Sequence, residues 1–247
     1  MRFEQKIPHT IADLHVPVTE KLVGSEPVFR RGTPDFVAKM GGDYARRLLQ
    51  VAESLSMVTD STRIMAQKTP FVHGAYPDIP QWHVDCVPGV PSKLLDAIQA
   101  RIDGLICVVF ERAQHRHDLG TLFLQGSVDL DMTNDSDSDY KPASHLSMDG
   151  GPVNWIHPQV DKQLGGSVQA LSIIANKIYR YTSADFHKAP AMMSDHGFRL
   201  VLRLNTPSKD FPFPVPMNNE IISPEPRYVF KVNDTYQKWR RLHVLNR

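Results

Sequence analysis

Short apolar stretches of strand length, separated by turn-forming residues, dominate this chain from residue 63 to residue 232. They fall at residues 63–72, 105–110, 121–130, 167–181, 197–204 and 228–232. Their content is β-branched and aromatic, as in Val168, Leu171, Ile173, Ile174, Ile178 and Tyr179, which suits a pleated, half-buried surface. Helical periodicity is confined to the flanks. Phe36, Val37, Met40, Tyr44, Leu48, Leu49, Val51, Ala52 and Leu55 recur at three-to-four spacing, predicting a helix over residues 35–55 capped by Thr33 or Asp35. Gly41-Gly42 interrupts that pattern. Shorter helical patterns lie at residues 92–102 and 157–164. Residues 1–34 read as irregular, and six prolines within residues 206–227 argue against a central strand there. The chain is expected to be mainly β with flanking helices.

Within this pattern, His83-Val84-Asp85 is answered about a hundred residues later by His187, then by Arg199 and Arg203. Residues i and i+2 of a strand point to one side, so His83 and Asp85 can grip one ion from one sheet face. Two histidines and one carboxylate suit a non-haem Fe(II), leaving coordination positions open for substrate, cofactor or oxygen. Arg199 and Arg203 stand four apart in an apolar run and also share a face. A guanidinium presents a planar fork that pairs bidentately with a carboxylate. His-x-Asp alone carries little information. Its context gives it weight: Trp82 and the preceding turn residues lead into a strand, Lys188-Ala189-Pro190 ends the segment bearing His187, and Asp195-His196-Gly197 turns into the strand with both arginines.

Trp82-His83-Val84-Asp85, Phe186-His187-Lys188-Ala189-Pro190 and Gly197-Phe198-Arg199 together resemble the iron(II)/2-oxoglutarate-dependent oxygenases over residues 70–205. The resemblance implies a double-stranded β-helix (jelly-roll) core with iron at its open mouth. It further implies that His83, Asp85 and His187 bind Fe(II), and that Arg199 holds the distal carboxylate of 2-oxoglutarate. Arg203 competes for that role, because the family's spacing from the distal histidine varies. The remaining arginine would bind substrate or serve structurally. The implied reaction uses O2, converts 2-oxoglutarate to succinate and CO2, and hydroxylates an unactivated C–H bond. Halogenating relatives lack the carboxylate ligand; Asp85 therefore favours hydroxylation, with desaturation and cyclisation open. Trp82 would flank the iron and Tyr76 would line the mouth. Two alternatives stand beside this one: a cupin-like iron dioxygenase without 2-oxoglutarate, and a non-catalytic jelly-roll binding module.

Other motifs carry less. His115-Arg116-His117 lacks the glutamate that a cupin site needs soon afterwards. Asp135, Asp137 and Asp139 imitate the start of a calcium loop, but Tyr140 and Leu146 stand where glycine and glutamate belong. His145, His157 and His196 have no partner at ligand spacing and read as structural or exposed. Net charge is +1, so no bulk attraction to nucleic acid is expected, and a small molecule is the expected partner. Cys86 and Cys107 give no disulfide framework, and no apolar run is long enough to span a bilayer. With no apolar leader core at residues 1–6, these features predict a soluble cytoplasmic chain. One domain is expected over residues 1–247, with the catalytic core at about 60–232 and the irregular segment plus bracing helix at about 1–57.

Overall fold

The computed structural model describes residues 1–71, 82–84, 102–110, 120–133, 153–182, 184–193, 197–206, 219, 221, 228–232 and 239–243. The fold is mainly β and antiparallel. A six-stranded sheet comprises β2 (His9–Asp13), β8 (Lys177–Thr182), β5 (Asp103–Phe110), β10 (Phe198–Thr206), β4 (Arg63–Pro70) and β3 (Phe29–Gly32), in that order. A smaller sheet is centred on β6 (Leu122–Asp129). β7 (Val168–Ser172) lines one edge of β6, while β1 (Arg2–Gln5) and β9 (His187–Lys188) lie end to end along the other. β11 (Tyr228–Val232) and β12 (Trp239–His243) pair as a separate two-stranded sheet.

Alternation along the central strands sorts the side chains into layers. On one face of the large sheet, Leu200, Leu202, Leu204, Leu105, Cys107 and Val109 pack against Val37, Tyr44, Leu48 and Ala52. Those partners come from helices α2 (Pro34–Met40) and α3 (Asp43–Ser54), with α1 (Glu20–Ser25) contributing Val23. Ile106, Val108, Phe110, Tyr179, Tyr181 and Val201 face the other way and meet Phe123 of the small sheet. The far face of that sheet buries Leu124, Val128 and Val168 against Ile156 and Val160 of helix α4 (Val153–Asp161). Two antiparallel sheets thus sandwich an inner layer, flanked by helices, in the jelly-roll manner. Among the described residues no helix is long and apolar enough to cross a membrane.

Several expectations need correction. Residues 1–34 are not irregular: they form β1, β2, α1 and β3. Each strand there has only four or five residues and pairs with a partner far along the chain, so local sequence carries little signal. The single strand expected over 167–181 is two strands in different sheets, separated by Asn176 at φ 63°. Asparagine tolerates that left-handed conformation. The single helix over 35–55 is broken at Gly41-Gly42, both extended, into α2 and α3. Thr33 caps α2 through Phe36 N–H, with Pro34 in the first turn. The stretch at 228–232, the last one expected to form a strand, is followed by β12 at residues 239–243, which pairs with it. The helical pattern at 92–101, Tyr76, Cys86, His115, His117, Asp135, Asp137, Asp139, His145 and His196 lie outside the described residues.

Candidate metal centre

His83 and His187 are directly opposite one another on adjacent backbone segments. His83 N–H donates to His187 O at 3.1 Å, and His187 N–H donates to His83 O at 2.9 Å. Such a doubly bonded pair fixes both Cα positions and puts the side chains on one face. The imidazole centroids are 4.4 Å apart. Both residues are buried. Their shared face is the inner one, because His187 stacks on Phe123 at 5.4 Å and meets the edge of Tyr181 at 6.3 Å.

The His187 tautomer follows from its neighbour. Nδ1 lies 2.8 Å from Asp185 O. A carbonyl oxygen can only accept, so Nδ1 carries the proton, and in the neutral ring Nε2 carries the lone pair. That carbonyl is itself held in a tight turn: Asp185 Oδ2 accepts Thr182 N–H at 2.6 Å, and Asp185 N–H donates to Thr182 O at 3.1 Å. From the other side, Gln5 Oε1 accepts Phe186 N–H at 2.8 Å where β1 stops and β9 begins. A ligating histidine needs this kind of support, with one ring nitrogen tied to an acceptor and the other presented. The donor set therefore fits a divalent transition metal. Among the described residues no group of three metal-ligating side chains is assembled. Asp85, the expected third member, lies outside the described residues.

Arg199 faces the same interior from the opposite sheet. It sits in β10 between Phe110 and Thr69, is 2% exposed, and its Nη2 donates to Thr121 Oγ1 at 3.0 Å. Thr121 lies two residues before Phe123, whose ring stacks on His187. Arg199 thus spans the space between the sheets and ends beside the start of β6, the strand that pairs with β9 and its His187. Arg203 occupies the same face of β10, between Ile106 and Met65, about 13 Å further along the strand. It is only partly buried.

Trp82 does not flank the histidines. Adjacent strand residues point to opposite faces, and Trp82 is fully buried on the α4 side with Phe186 and Leu124. Its indole Nε1 donates to Asp161 Oδ1 at 3.2 Å, and Lys188 Nζ lies 4.6 Å from its ring centroid. His157 is structural, as expected, with Nδ1 accepting Trp82 N–H at 3.4 Å. Burial holds the His157 pKa down against the pull of Asp161, and Lys188 pushes it the same way as burial.

No family model matches the sequence, and no curated protein is significantly similar to it. Similarity to solved structures does exist. EvdMO1 is 15% identical at a TM-score of 0.28, and the match covers 60% of this chain but 26% of EvdMO1, so this chain spans about a quarter of that protein's length. A Pseudomonas putida prolyl-4-hydroxylase is 11% identical at a TM-score of 0.34, covering 81% of this chain and 97% of its own. ThoJ, a non-heme monooxygenase in its apo form, is 9% identical at a TM-score of 0.33, covering 81% and 87% respectively.

Thr121 touches Arg199 and Tyr181 touches His187, while Asn205 holds Tyr181 in place; motif spacing reveals none of these contacts. Tyr181 OH donates to Asn205 Oδ1 at 2.9 Å. Asn205 was within reach of period-two reasoning, since it extends the inward row Arg199, Val201, Arg203. Thr121 was not, because its role depends on the distance between sheets.

Proposed function

We propose that this chain is an iron(II)- and 2-oxoglutarate-dependent oxygenase that hydroxylates an unactivated C–H bond of a small-molecule or amino-acid-like substrate. The observation that carries this is the pairing of His83 with His187 on the inner face, with the buried Arg199 of the facing sheet reaching across to Thr121. His83, His187 and Asp85 would hold the iron, with Asp85 supplied by its spacing two residues beyond His83. Bound there, Fe(II) would supply the activation of O2 that no side chain can perform.

The chain's own residues do the rest. Asp185 O holds the proton on His187 Nδ1, which reserves Nε2 for the metal. Phe123 and Tyr181 fix the ring plane and keep water from its face. Arg199 presents a charge-assisted fork to the distal carboxylate of 2-oxoglutarate, with Thr121 fixing the direction of one arm. An inward arginine of this kind supports an acidic co-substrate over a cupin-like enzyme that uses oxygen alone.

Succinate formation from 2-oxoglutarate, measured with and without Fe(II), tests the proposal. Wild-type protein should form succinate only with iron present, and Asp85→Gly should form almost none, because a ligand and its negative charge are gone. Iron-dependent succinate formation unchanged in Asp85→Gly would remove Asp85 from the ligand set.

A further inference from the structure

Behind the histidine pair, on the face away from the proposed metal, two side chains of α4 engage both ligand-bearing segments. His157 Nδ1 accepts the backbone N–H of Trp82, the residue before His83, at 3.4 Å. Asp161 Oδ1 accepts the Trp82 indole N–H at 3.2 Å and lies 4.0 Å from Nζ of Lys188, the residue after His187. Lys188 also sits over the Trp82 ring at 4.6 Å. Asp161 Oδ2 is 3.4 Å from His157 Nε2, four residues apart on one helix face. Because Nδ1 accepts from a backbone N–H, a neutral His157 ring carries its proton on Nε2, pointing towards the Asp161 carboxylate. The two segments therefore touch each other through their backbones, and touch α4 through the Trp82 backbone N–H and the side chains of Trp82 and Lys188.

The structure assigns to His157 and Asp161 the role of positioning residues that set the separation and orientation of His83 and His187. Neither reaches the inner face, so neither is catalytic. A backbone amide anchored to His157 fixes where the His83 segment enters its pairing. An indole and an ammonium anchored to one carboxylate hold the two segments at a common height above α4. Only small misplacement of one imidazole is needed to weaken a shared metal, and partners that orient ligands commonly change metal affinity by about 10- to 100-fold. The role in metal binding rests on the proposed function above; the role in orienting the two rings does not.

The experiment has a metal-free and a metal-loaded arm. In the metal-free protein, the imidazole nitrogen signals of His83 and His187 are followed by NMR in wild type, His157→Leu and His157→Asn. Asparagine can place an oxygen where Nδ1 stood and keep the contact to Trp82 N–H; leucine cannot. His157→Leu should shift or broaden both sets of signals, and His157→Asn should largely restore them. In the second arm, cobalt(II) is titrated into each protein. His157→Leu should bind about 10- to 100-fold more weakly than wild type, Asp161→Asn should fall between, and His157→Asn should stay close to wild type. Leu48→Ala, fully buried in the helix-covered core beyond the large sheet, should lower the melting temperature without changing cobalt affinity. Asp161→Asn supplies the same readouts if His157→Leu does not fold. Ring signals that respond to His157→Leu in a wild type that binds no cobalt would uphold the positioning role and sink the metal assignment. Unchanged ring signals and unchanged cobalt affinity in both His157→Leu and Asp161→Asn would overturn the inference.

Discussion

A guanidinium that is 2% exposed, as in Arg199, is costly to keep, because burying a charge is unfavourable unless it is paired and hydrogen-bonded. Arg199 meets that requirement in part through Thr121, and the proposed function assigns it the distal carboxylate of 2-oxoglutarate. Arg199→Ala should raise the 2-oxoglutarate requirement by an amount equivalent to about 2–5 kcal/mol, measured as the concentration for half-maximal succinate formation. Arg203→Ala should leave that concentration nearly unchanged and act on the substrate instead; the reverse result would exchange the two arginines. Thr121→Val keeps the shape of the side chain but removes the acceptor of Arg199 Nη2, so it should weaken 2-oxoglutarate in the same direction by about 1.5–3 kcal/mol. At this scale the sequence was informative where chemistry is scarce. Few side-chain types hold iron, and His83 and His187 do meet. It misled at Trp82, where proximity in sequence was taken for proximity in space although strand alternation puts neighbours on opposite faces.

Among the elements, α3 has a cap that its own sequence does not supply. Gly42 offers no side chain, and the free N–H groups of Tyr44 and Ala45 are accepted by Glu26, at 3.3 and 2.9 Å. Glu26 is 1% exposed. Burial pushes its pKa up to about 7, against those two hydrogen bonds and the nearby Lys68, with Asp43 adding to the rise. The folded state thus binds a proton that the unfolded chain has already released in the ordinary carboxylate range. Stability from this group is complete in acid and is lost as pH rises towards and through 7, by roughly 3 kcal/mol if the whole shift is expressed. Urea unfolding at a series of pH values should show that decline in wild type and a flatter profile in Glu26→Gln. An equally steep profile in the variant would place the titrating group elsewhere. The same long-range dependence explains which elements were hard to read. β5 and β10 are buried on both faces and announce themselves as apolar runs, whereas β1, β2 and β3 are short and exist because β6, β8 and β4 offer them edges. The split of β7 from β8 left one cue, Asn176, inside an otherwise continuous strand pattern.

On the scale of the whole molecule, three apolar layers divide the work. The layer under α2 and α3 stabilises the large sheet; the layer against α4 steadies the segments that carry the histidines; the inner layer between them holds Phe110, Phe123, Tyr181 and Val201 beside His187 and Arg199. The mainly β architecture was legible from strand length and composition, and the jelly roll from a resemblance resting on few residues. Strand order was not legible, since it depends on which edges remain open once the central strands have paired. The claim on which the rest depends is that the inner layer holds one iron. Anaerobic titration of Fe(II), followed by addition of 2-oxoglutarate, tests it most directly. Wild-type protein should retain one Fe(II) per chain and develop the weak visible charge-transfer band of a chelated 2-oxo acid, while the His83→Ala/His187→Ala double variant should retain almost no iron and develop no band. Stoichiometric iron with an unchanged band in that double variant would contradict the claim and place the metal elsewhere.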